Sequence, residues 1–409
     1  MRIKHISLEN FRNYRELDLA LPSGPTLLHG DNAQGKTNLL EAIYYLATTR
    51  SPHADHGRQL INWEKLEGEE LIVVGRIVAQ IEINSDSLEL EMRLIREFQE
   101  GRYGFRREAL VNHRKVRLMD LIGKLRVVLF LPQDMAVVTG SPSVRRRYID
   151  ITLCQNDPSY CRALSTYNKV LEQRNALLRQ IAEEGSGLDV LPVYSDKLVE
   201  AGSHVFLGRA RALSSLDELA RHIHQSQLTL GKEKVSLIYL PRFANTNNGR
   251  NQEPNDLGTW LSQQGDAEIV ADRFQQELSR SKSAELAAGL TLVGPHRDDW
   301  RFQADGKDLS TFGSRGQQRT ALLALKLAEI QWMTEKTGAT PILLLDEVVA
   351  ELDKKRREFL LSTVREASQS ILTATDPGMF SSEFLTRATS MRVSGGQIGR
   401  QTHGPVAPG

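Results

Sequence analysis

The residues with the most specific chemistry in this chain are 30–37, which read GDNAQGKT and match the pattern G-x-x-x-x-G-K-[ST]. Gly30 and Gly35 let the backbone curl so that successive N–H groups point at phosphate oxygens. A helix predicted to begin near Lys36 adds the positive end of its dipole. Lys36 is predicted to bridge the β- and γ-phosphates of ATP, and the hydroxyl of Thr37 is predicted to bind Mg²⁺.

The segments around this loop predict the strand and the helix that a phosphate-binding loop requires. Residues 26–29 form a short apolar run typical of a strand, and residues 38–46 place apolar side chains at helical spacing. Residues 3–21 alternate apolar and polar on both sides of a turn, which predicts a β-ribbon. Arg12 and Tyr14 flank that turn. Contact of either with the nucleotide's base or ribose and an ordinary exposed turn are both open interpretations.

Two adjacent carboxylates, Asp346 and Glu347, end the apolar run 341–345. Such a run is typical of a strand buried on both faces, and ligands of open α/β sheets bind at the carboxyl ends of strands. Asp346 is therefore predicted to serve Mg²⁺, directly or through its water, and Glu347 to orient and deprotonate the attacking water. The alternative is an acidic cap on a helix predicted to start near Asp353.

A second anion-binding end is predicted at residues 314–318, which read SRGQQ and precede an apolar helix over residues 319–332. Ser314 fits a helix N-cap, and Gly316 leaves the first-turn N–H groups exposed. Taken alone, this is only a capped helix. The order of phosphate loop, capped helix and carboxylates nevertheless resembles that of ABC-type ATPases, whose signature motif is similar to Ser-Gly-Gly-Gln. The predicted fold is α/β, an ABC-type P-loop ATPase head with a mixed sheet and flanking helices.

In ABC-type ATPases the signature of one subunit closes on the γ-phosphate held by another. The resemblance therefore implies an ATP-sandwiched homodimer, in which residues 350–353 occupy the position of the dimer-contact loop. The predicted nucleotide contacts are Gly30, Asn32, Gly35, Lys36, Thr37, Asn38, Gln133, Ser314, Gly316 and Gln317. The predicted catalytic residues are Lys36, Ser314 and Glu347, and the predicted Mg²⁺ ligands are Thr37, Gln133 and Asp346.

The stretch between the two motifs is long enough for a second domain. The SMC-like branch of the superfamily inserts long coiled coils there, but this chain has no heptad pattern sustained over many turns. We predict a compact, mainly helical arm at residues 141–289, inserted between head segments at residues 1–140 and 290–409. The clearest additional predictions are strands at 70–77, 88–95 and 235–240, helical residues from 143 to 226, and a helix at 269–286.

A compact insertion resembles the RecF family of bacterial recombination mediators, and short segments along the chain are similar to motifs of that family. They are ENFRNY at 9–14, LPQD at 131–134, GSPSVRRRYID at 140–150, GPHRDD at 294–299, FGSRGQQRT at 312–320 and ELD at 351–353. Gln133 departs from the pattern, because the family usually has an acidic residue there. It suits the metal-contacting Q-loop of the wider superfamily, so its role is open. The switch histidine of transporter ATPases is missing, and TATD stands at 373–376.

The resemblance implies an ATP-dependent DNA-binding protein of recombinational repair and replication restart. Such a protein dimerises on ATP at gapped or duplex DNA, helps a recombinase to load, and hydrolyses ATP weakly with stimulation by DNA. The implied cofactors are ATP and Mg²⁺. The implied partners are gapped, duplex and single-stranded DNA and a RecR-like mediator. The alternative function is an ABC-type ATPase subunit of another system, such as a transporter engine or a defence complex.

Composition restricts where a DNA surface can lie, because 409 residues carry a formal net charge of only +1. Basic residues cluster around Tyr103 and Phe105; they are Arg102, Arg106, Arg107, Arg114, Lys115, Arg117, Lys124 and Arg126. A phosphate-tracking surface and a solvated hairpin face are both open interpretations. Arg145, Arg146 and Arg147 are expected either to add to that surface or to brace the head against the arm, and the family resemblance favours bracing for at least one of them.

The remaining features predict a cytoplasmic protein. Cys154 and Cys161 are expected to pack as small apolar residues in a reducing compartment. No apolar run reaches membrane-spanning length, and the N-terminus lacks a signal-peptide pattern, so no membrane partner is expected. The asparagine-rich stretch 245–255 and the tail after Gly395 are predicted to be loops.

Overall fold

The computed structural model describes residues 1–68, 70–84, 86–231, 233–243 and 254–400. The chain divides into two compact units, one of Met1–Gln133 with Met333–Gly409 and the other of Asp134–Trp332. The division into head segments and an arm at residues 140 and 289 stays a prediction. The stretch 245–255 lies almost wholly outside the described residues, apart from the start of a helix at Pro254.

The strands in chain order are β1 (Arg2–Phe11), β2 (Tyr14–Ala20), β3 (Gly24–His29), β4 (Ile72–Ile83), β5 (Asp86–Gln99), β6 (Arg102–Val111), β7 (Arg114–Val116), β8 (Val127–Phe130), β9 (Val235–Leu240), β10 (Asp299–Ala304), β11 (Lys307–Asp308), β12 (Ile342–Asp346), β13 (Gln369–Ala374), β14 (Thr389–Ser394) and β15 (Gln397–Arg400). The predicted strands β1, β4, β5, β9 and β12 are confirmed. The tail prediction is wrong for residues 397–400, because β15 pairs antiparallel with β14.

The helices are α1 (Lys36–Thr48), α2 (Trp63–Glu67), α3 (Leu118–Leu121), α4 (Met135–Thr139), α5 (Pro142–Asn156), α6 (Pro158–Glu184), α7 (Leu191–Ile223), α8 (Pro254–Gln263), α9 (Ala267–Ala288), α10 (Leu309–Phe312), α11 (Arg315–Thr337), α12 (Lys354–Glu366) and α13 (Ser382–Arg387). The helical region predicted from residue 143 is α5 to α7, and the helix predicted at 269–286 is α9.

The first unit contains two six-stranded sheets. One is antiparallel, with the order β2-β1-β4-β5-β6-β7. The other has the order β15-β14-β3-β13-β12-β8, in which the strands from β14 to β8 run parallel. One apolar core joins both sheets to α1 and includes Leu8, Ile43, Leu94, Leu344 and Ile371. Because the parallel strands end at one edge, the loops after β3, β8, β12 and β13 come together there.

The second unit is built on long helices and a small antiparallel sheet of β11, β10 and β9. Helices α6 and α7 are antiparallel, so that Tyr160 packs against Gly208 and Tyr167 against Gly202. Phe206 of α7 stacks on Phe243 with ring centroids 4.2 Å apart. These contacts pack α6 and α7 against each other within the helical stretch predicted from residue 143.

Buried charges tie α6 and α7 to the end of α9 and to the segment that follows it. Arg174 of α6 donates to Glu285 Oε2 at 2.7 Å and to Thr291 Oγ1 at 2.7 Å. Arg209 of α7 pairs with Asp298 at 3.2 Å. Buried charges are tolerated when they are paired and hydrogen-bonded. The family-like segment 294–299 therefore has a structural role inside this unit.

Candidate functional site

The phosphate-binding loop joins β3 to α1 at the carboxyl edge of the parallel sheet. Gly30 has φ 139°, and a Cβ at this position would lie 2.4 Å from the Val393 carbonyl oxygen of β14. No side chain is tolerated at such a distance. Gly35 has φ 117° and caps the N-terminus of α1. The sequence pattern therefore forms the strand, loop and helix that the motif requires.

Lys36 is almost fully buried at the base of this loop, with 4% of its surface exposed. Its ammonium donates to the carbonyl oxygens of Gly30 at 2.6 Å and Asp31 at 3.0 Å. It lies 3.5 Å from Glu347 Oε1. A cation held by loop carbonyls at this place is positioned to meet anionic phosphate oxygens.

Thr37 and Asp346 form the centre of the site. Thr37 Oγ1 donates to the Asp346 carboxylate, with 3.0 Å to each of its oxygens. Thr373 Oγ1, on the neighbouring strand β13, donates to Asp346 Oδ1 at 2.7 Å. A carboxylate and a hydroxyl side by side are the hard oxygen ligands that Mg²⁺ prefers, so these residues fit the ion.

Glu347 is half exposed and has a left-handed backbone, with φ 54°. Its N–H donates to Thr373 Oγ1 at 3.0 Å, which holds this unusual conformation. A non-glycine residue in this region costs free energy, and such residues cluster at functional sites. In this conformation the Glu347 side chain is half exposed, whereas Asp346 is buried.

A cavity of about 260 Å³ lies between the loop and the carboxylates. The predicted contacts Asn32, Gly35, Lys36, Thr37, Asn38, Gln133, Asp346 and Glu347 all line it. Gln133 follows β8 and its amide nitrogen lies 3.2 Å from His53 Nδ1. Asn38 donates to Asn13 Oδ1 at 2.7 Å. The structure thus brings together the predicted residues of the first unit, including those separated by some 300 positions.

The β1–β2 turn supports the loop, which the sequence interpretation missed. Arg12 makes a bidentate ion pair with Glu41, with both nitrogen–oxygen distances at 2.8 Å. Tyr14 is fully buried and donates to the Gly35 carbonyl oxygen at 2.9 Å. Tyr14 is therefore not in an exposed turn. No local motif predicts that this turn supports the loop. Its role is visible only because the folded chain places the turn beside the loop.

The predicted signature residues lie in the second unit. Ser314 N donates to Gln317 Oε1 at 2.8 Å, and Gln317 N donates to Ser314 Oγ at 3.2 Å. This reciprocal pair is a capping box at the start of α11. Gln317 also donates to Glu233 at 3.1 Å, while Ser314 and Gly316 are exposed. The sequence-predicted N-cap is confirmed.

Helix α11, which begins at the predicted signature, makes polar contacts with α5 and with Asp134. Glu329 of α11 accepts hydrogen bonds from Tyr148 and Thr152, both at 2.6 Å. Lys326 pairs with Asp134 at 3.2 Å and lies over the Tyr148 ring. Because these groups are largely buried, they fix how α11 is seated within the second unit.

The basic cluster between residues 102 and 126 is partly neutralised. Arg106 and Lys115 pair with Glu108, and Arg117 pairs with Asp120. Most of this cluster lies on β6 and β7, as the hairpin interpretation requires. Phosphate contact by the remaining members stays a prediction.

The three arginines at residues 145–147 have different surroundings. Arg145 is buried and pairs with Asp299, with nitrogen–oxygen distances of 2.6 and 2.9 Å. Arg146 donates to the Asp298 carbonyl oxygen at 2.6 Å. This pair engages the guanidinium of Arg145 and joins α5 to β10, while DNA contact by these arginines stays a prediction. Cys154 and Cys161 are both buried, as predicted.

The chain is similar to known proteins along nearly all of its length. The family model described as the RecF/RecN/SMC N terminal domain matches residues 2–395. The DNA replication and repair protein RecF of Chloroflexus aurantiacus is 41% identical over 406 residues, which cover 97% of this chain and 99% of that protein.

Solved structures of RecF have the same fold along their whole length. The recombination mediator protein RecF-ATPrS in the RecFOR pathway superposes with a TM-score of 0.82 and 28% identity, over 98% of both chains. The corresponding RecF-ATP structure superposes with a TM-score of 0.81 and 29% identity, over 98% of this chain and 97% of that one.

The parts of the chain that the structure describes contain helices that are all too short or too polar to traverse a membrane. The predicted fold class and family are both confirmed by the comparisons. The chain therefore belongs to the RecF family within the RecF/RecN/SMC group, and it has the ABC-type ATPase head fold of that family.

Proposed function

We propose that the chain is an ATP-switched DNA-binding protein of recombinational repair and replication restart. It binds Mg²⁺ and ATP at residues 30–37, dimerises on the nucleotide, and hydrolyses it weakly as a conformational reset. The observation that carries this proposal is the contact of Thr37 with Asp346, beside Lys36 and Glu347, in one cavity. Residues that are far apart in sequence meet in this cavity, and their oxygen and nitrogen atoms suit phosphate and a metal ion.

The residues of the cavity divide the work of phosphoryl transfer. Lys36 would neutralise the β- and γ-phosphates, and Thr37 and Asp346 would hold Mg²⁺, an ion that supplies positive charge to the phosphate oxygens. Glu347 is the exposed carboxylate and orients the attacking water and takes its proton. We assign Gln133, which also lines the cavity, to contact the nucleotide and Mg²⁺. Asn32 and Asn38 complete the polar lining.

The dimer follows from the exposed signature. Ser314 Oγ accepts from its own helix, so its hydroxyl proton is available to an external anion. Gly316 and the first turn of α11 add N–H groups and the positive end of the helix dipole. We assign these groups to the γ-phosphate bound by a second copy, so that Ser314, Gly316 and Gln317 complete the partner's site and Ser314 acts there catalytically.

The relatives supply the biological setting of the proposal. The curated relative is named a DNA replication and repair protein, and the solved relatives are described as recombination mediators of the RecFOR pathway with ATP or ATPrS. We therefore propose gapped, duplex and single-stranded DNA and a RecR-like mediator as partners in the cytoplasm. In this arrangement the head is formed by residues 1–140 and 290–409, and the arm by residues 141–289.

Release of phosphate from ATP tests the proposal. The rate is measured with purified protein alone and with gapped, duplex or single-stranded DNA, at two salt concentrations. We expect slow turnover that DNA stimulates, with stimulation that weakens as salt rises because phosphate contacts release counterions. Turnover that no DNA changes at either salt concentration would contradict the DNA-binding part. A protein that does not bind ATP would contradict the whole proposal.

A further inference from the structure

The peptide between Gln34 and Gly35 is held from outside the nucleotide cavity. The Gln34 carbonyl oxygen accepts from Gly396 N at 3.0 Å and from Asn13 Nδ2 at 3.0 Å. Neither donor lines the cavity, whereas Gly35 does. In a trans peptide the carbonyl of one residue and the N–H of the next point to opposite sides. The two donors on Gln34 therefore direct the N–H of Gly35 toward the phosphate side.

The following peptide is held in the same manner. The Gly35 carbonyl oxygen accepts from the Tyr14 hydroxyl at 2.9 Å and from Leu39 N at 3.1 Å. Burial raises the pKa of Tyr14, so its hydroxyl remains a donor. The N–H of Lys36 is consequently turned to the opposite side. Two successive N–H groups thus receive their direction from residues outside the loop.

The end of β14 and the turn that follows it contact the two ends of the loop. Near the start, the Val393 carbonyl occupies the space beside Gly30 that a Cβ would need. Near the end, Gly395 N donates to Gln34 Oε1 at 2.7 Å. Gly396 fits only as glycine, because its φ is 74° and a Cβ would lie 2.8 Å from the Asn13 carbonyl oxygen. The turn is therefore built against the loop and against Asn13 together.

We propose that the β14–β15 turn and Asn13 form a clamp that fixes the backbone of the phosphate-binding loop before ATP binds. Gln34 is the positioning residue, because both parts of the clamp donate hydrogen bonds to it. The clamp rests on the proposed function, since it presumes that residues 30–37 bind ATP. It acts on the phosphates through the peptide N–H groups, and it requires no contact between the clamp and the nucleotide. If the clamp exists, the affinity for ATP depends on the turn between β14 and β15, which lies close to the C-terminus of the chain.

Two substitutions loosen the clamp from opposite sides. Gly396→Ala forces the turn away from Asn13, and Asn13→Leu removes the Nδ2 donor without adding a charge, at nearly the same side-chain size. Gly101→Ala is the matched control, because Gly101 also has a positive φ in a hairpin turn of the first unit but has open space around it. ATP turnover is measured as KM and kcat, with thermal unfolding of each variant alongside.

Each clamp variant is expected to raise KM for ATP about tenfold, which is the effect of losing one well-formed hydrogen bond to a charged group. The kcat of each variant should stay within about twofold of wild type, because the ground state and the transition state lose the same contacts. Gly101→Ala is expected to leave both constants unchanged. A merely structural lesion would instead lower kcat through the fraction of active protein and leave KM alone.

The outcomes separate the clamp from the proposed function. If wild type binds and hydrolyses ATP, Lys36→Ala does not, and both clamp variants keep the wild-type KM, the clamp is wrong and the proposed function stands. A fall in kcat at constant KM would also overturn the clamp. If wild type itself fails to bind ATP, the proposed function is at fault.

Discussion

Thr37 and Asp346 are 309 residues apart in sequence, yet the Thr37 hydroxyl oxygen lies 3.0 Å from both oxygens of the Asp346 carboxylate. Strand order explains the contact, because β13 separates β3 from β12 and places Thr373 beside Asp346. The middle strand thus contributes the third oxygen of the group. The site depends on the assembled parallel sheet and on no single local segment.

Removing the hydroxyl of Thr37 should weaken binding of the magnesium complex of ATP. We expect Thr37→Val, which keeps the shape of the side chain, to lower that affinity about tenfold or more, since a lost charge-assisted bond costs about 1.5–3 kcal/mol. Thr37→Ser keeps the hydroxyl and serves as the control. Titration with a fluorescent ATP analogue, with Mg²⁺ and with EDTA, measures the effect. Equal affinities of the two variants in Mg²⁺ would remove Thr37 from the metal site.

Neutralising Glu347 should stop hydrolysis after binding. We expect Glu347→Gln to lower turnover by about 100-fold or more, because a general base is lost, and to accumulate a dimer in the presence of ATP. Sedimentation or light scattering measures the dimer and phosphate release measures turnover. Glu366→Gln, an exposed position at the end of α12, is the matched control. Normal hydrolysis by Glu347→Gln would take Glu347 out of its role.

The buried pair of Arg174 and Glu285 should govern the stability of the second unit. Their side chains are 2% and 0% exposed, and Arg174→Met leaves an unpaired buried carboxylate. The expected loss is about 3–5 kcal/mol in the free energy of unfolding. Urea denaturation measures it.

Two further variants separate the lost pairing from lost packing. Arg174→Met combined with Glu285→Gln removes both charges and keeps an acceptor for Leu292 N, so it should recover most of the loss. Arg280→Met breaks an exposed pair with Glu277 and should cost less than about 1 kcal/mol. A double variant as unstable as the single one would show that packing, and not charge, carries the effect.

The stability of the second unit should also depend on pH through His296. Burial first, and then nearby arginines, lower the pKa of His296 to about 4. Its ring accepts from the Tyr167 hydroxyl at Nδ1 and donates to the Thr291 carbonyl at Nε2, as a neutral ring does. Between pH 6.5 and 4, His296 is therefore protonated in the unfolded chain and neutral in the folded chain. The stability due to His296 is present above pH 6.5 and is lost as pH falls to 4.

Asp298 acts in the opposite direction over a similar range. Burial raises its pKa to about 6, so the folded chain binds a proton that the unfolded chain does not, and stability due to Asp298 grows as pH falls from 6 to 4. His296→Gln keeps a donor and an acceptor but removes the first effect. As the pH falls from 6.5 to 4, the free energy of unfolding of His296→Gln minus that of wild type should increase by up to about 3 kcal/mol. A difference in urea midpoints that stays constant over this range would contradict the assignment.

Local patterns were enough to predict the elements that carry the site. The apolar run at 341–345, the alternation at 3–11 and the loop at 30–37 each reflect burial or backbone geometry that is visible within a few residues. The same holds for the capping box of Ser314 and Gln317. The order of these motifs along the chain also predicts the family, and the comparisons confirm that prediction.

The support around the loop could not be predicted, because it depends on pairing between distant strands. Tyr14 is an ordinary ribbon residue until the sheet places its hydroxyl against Gly35, and Gln34 shows its role only when the β14–β15 turn is beside it. That turn lies in the tail that the polar sequence indicated to be a loop. The short runs of β8 and β12 pair in parallel, and such long-range register leaves no local signal.

Complementation between two inactive variants tests the central claim, that two copies share each site. Lys36→Ala removes the phosphate-binding lysine and Ser314→Arg blocks the signature, so either alone should be inactive. Mixed in equal amounts, they form one intact site per mixed dimer. We expect DNA-stimulated phosphate release to return to about a quarter of the wild-type rate, as random pairing gives. A mixture as inactive as its separate components would contradict the shared site.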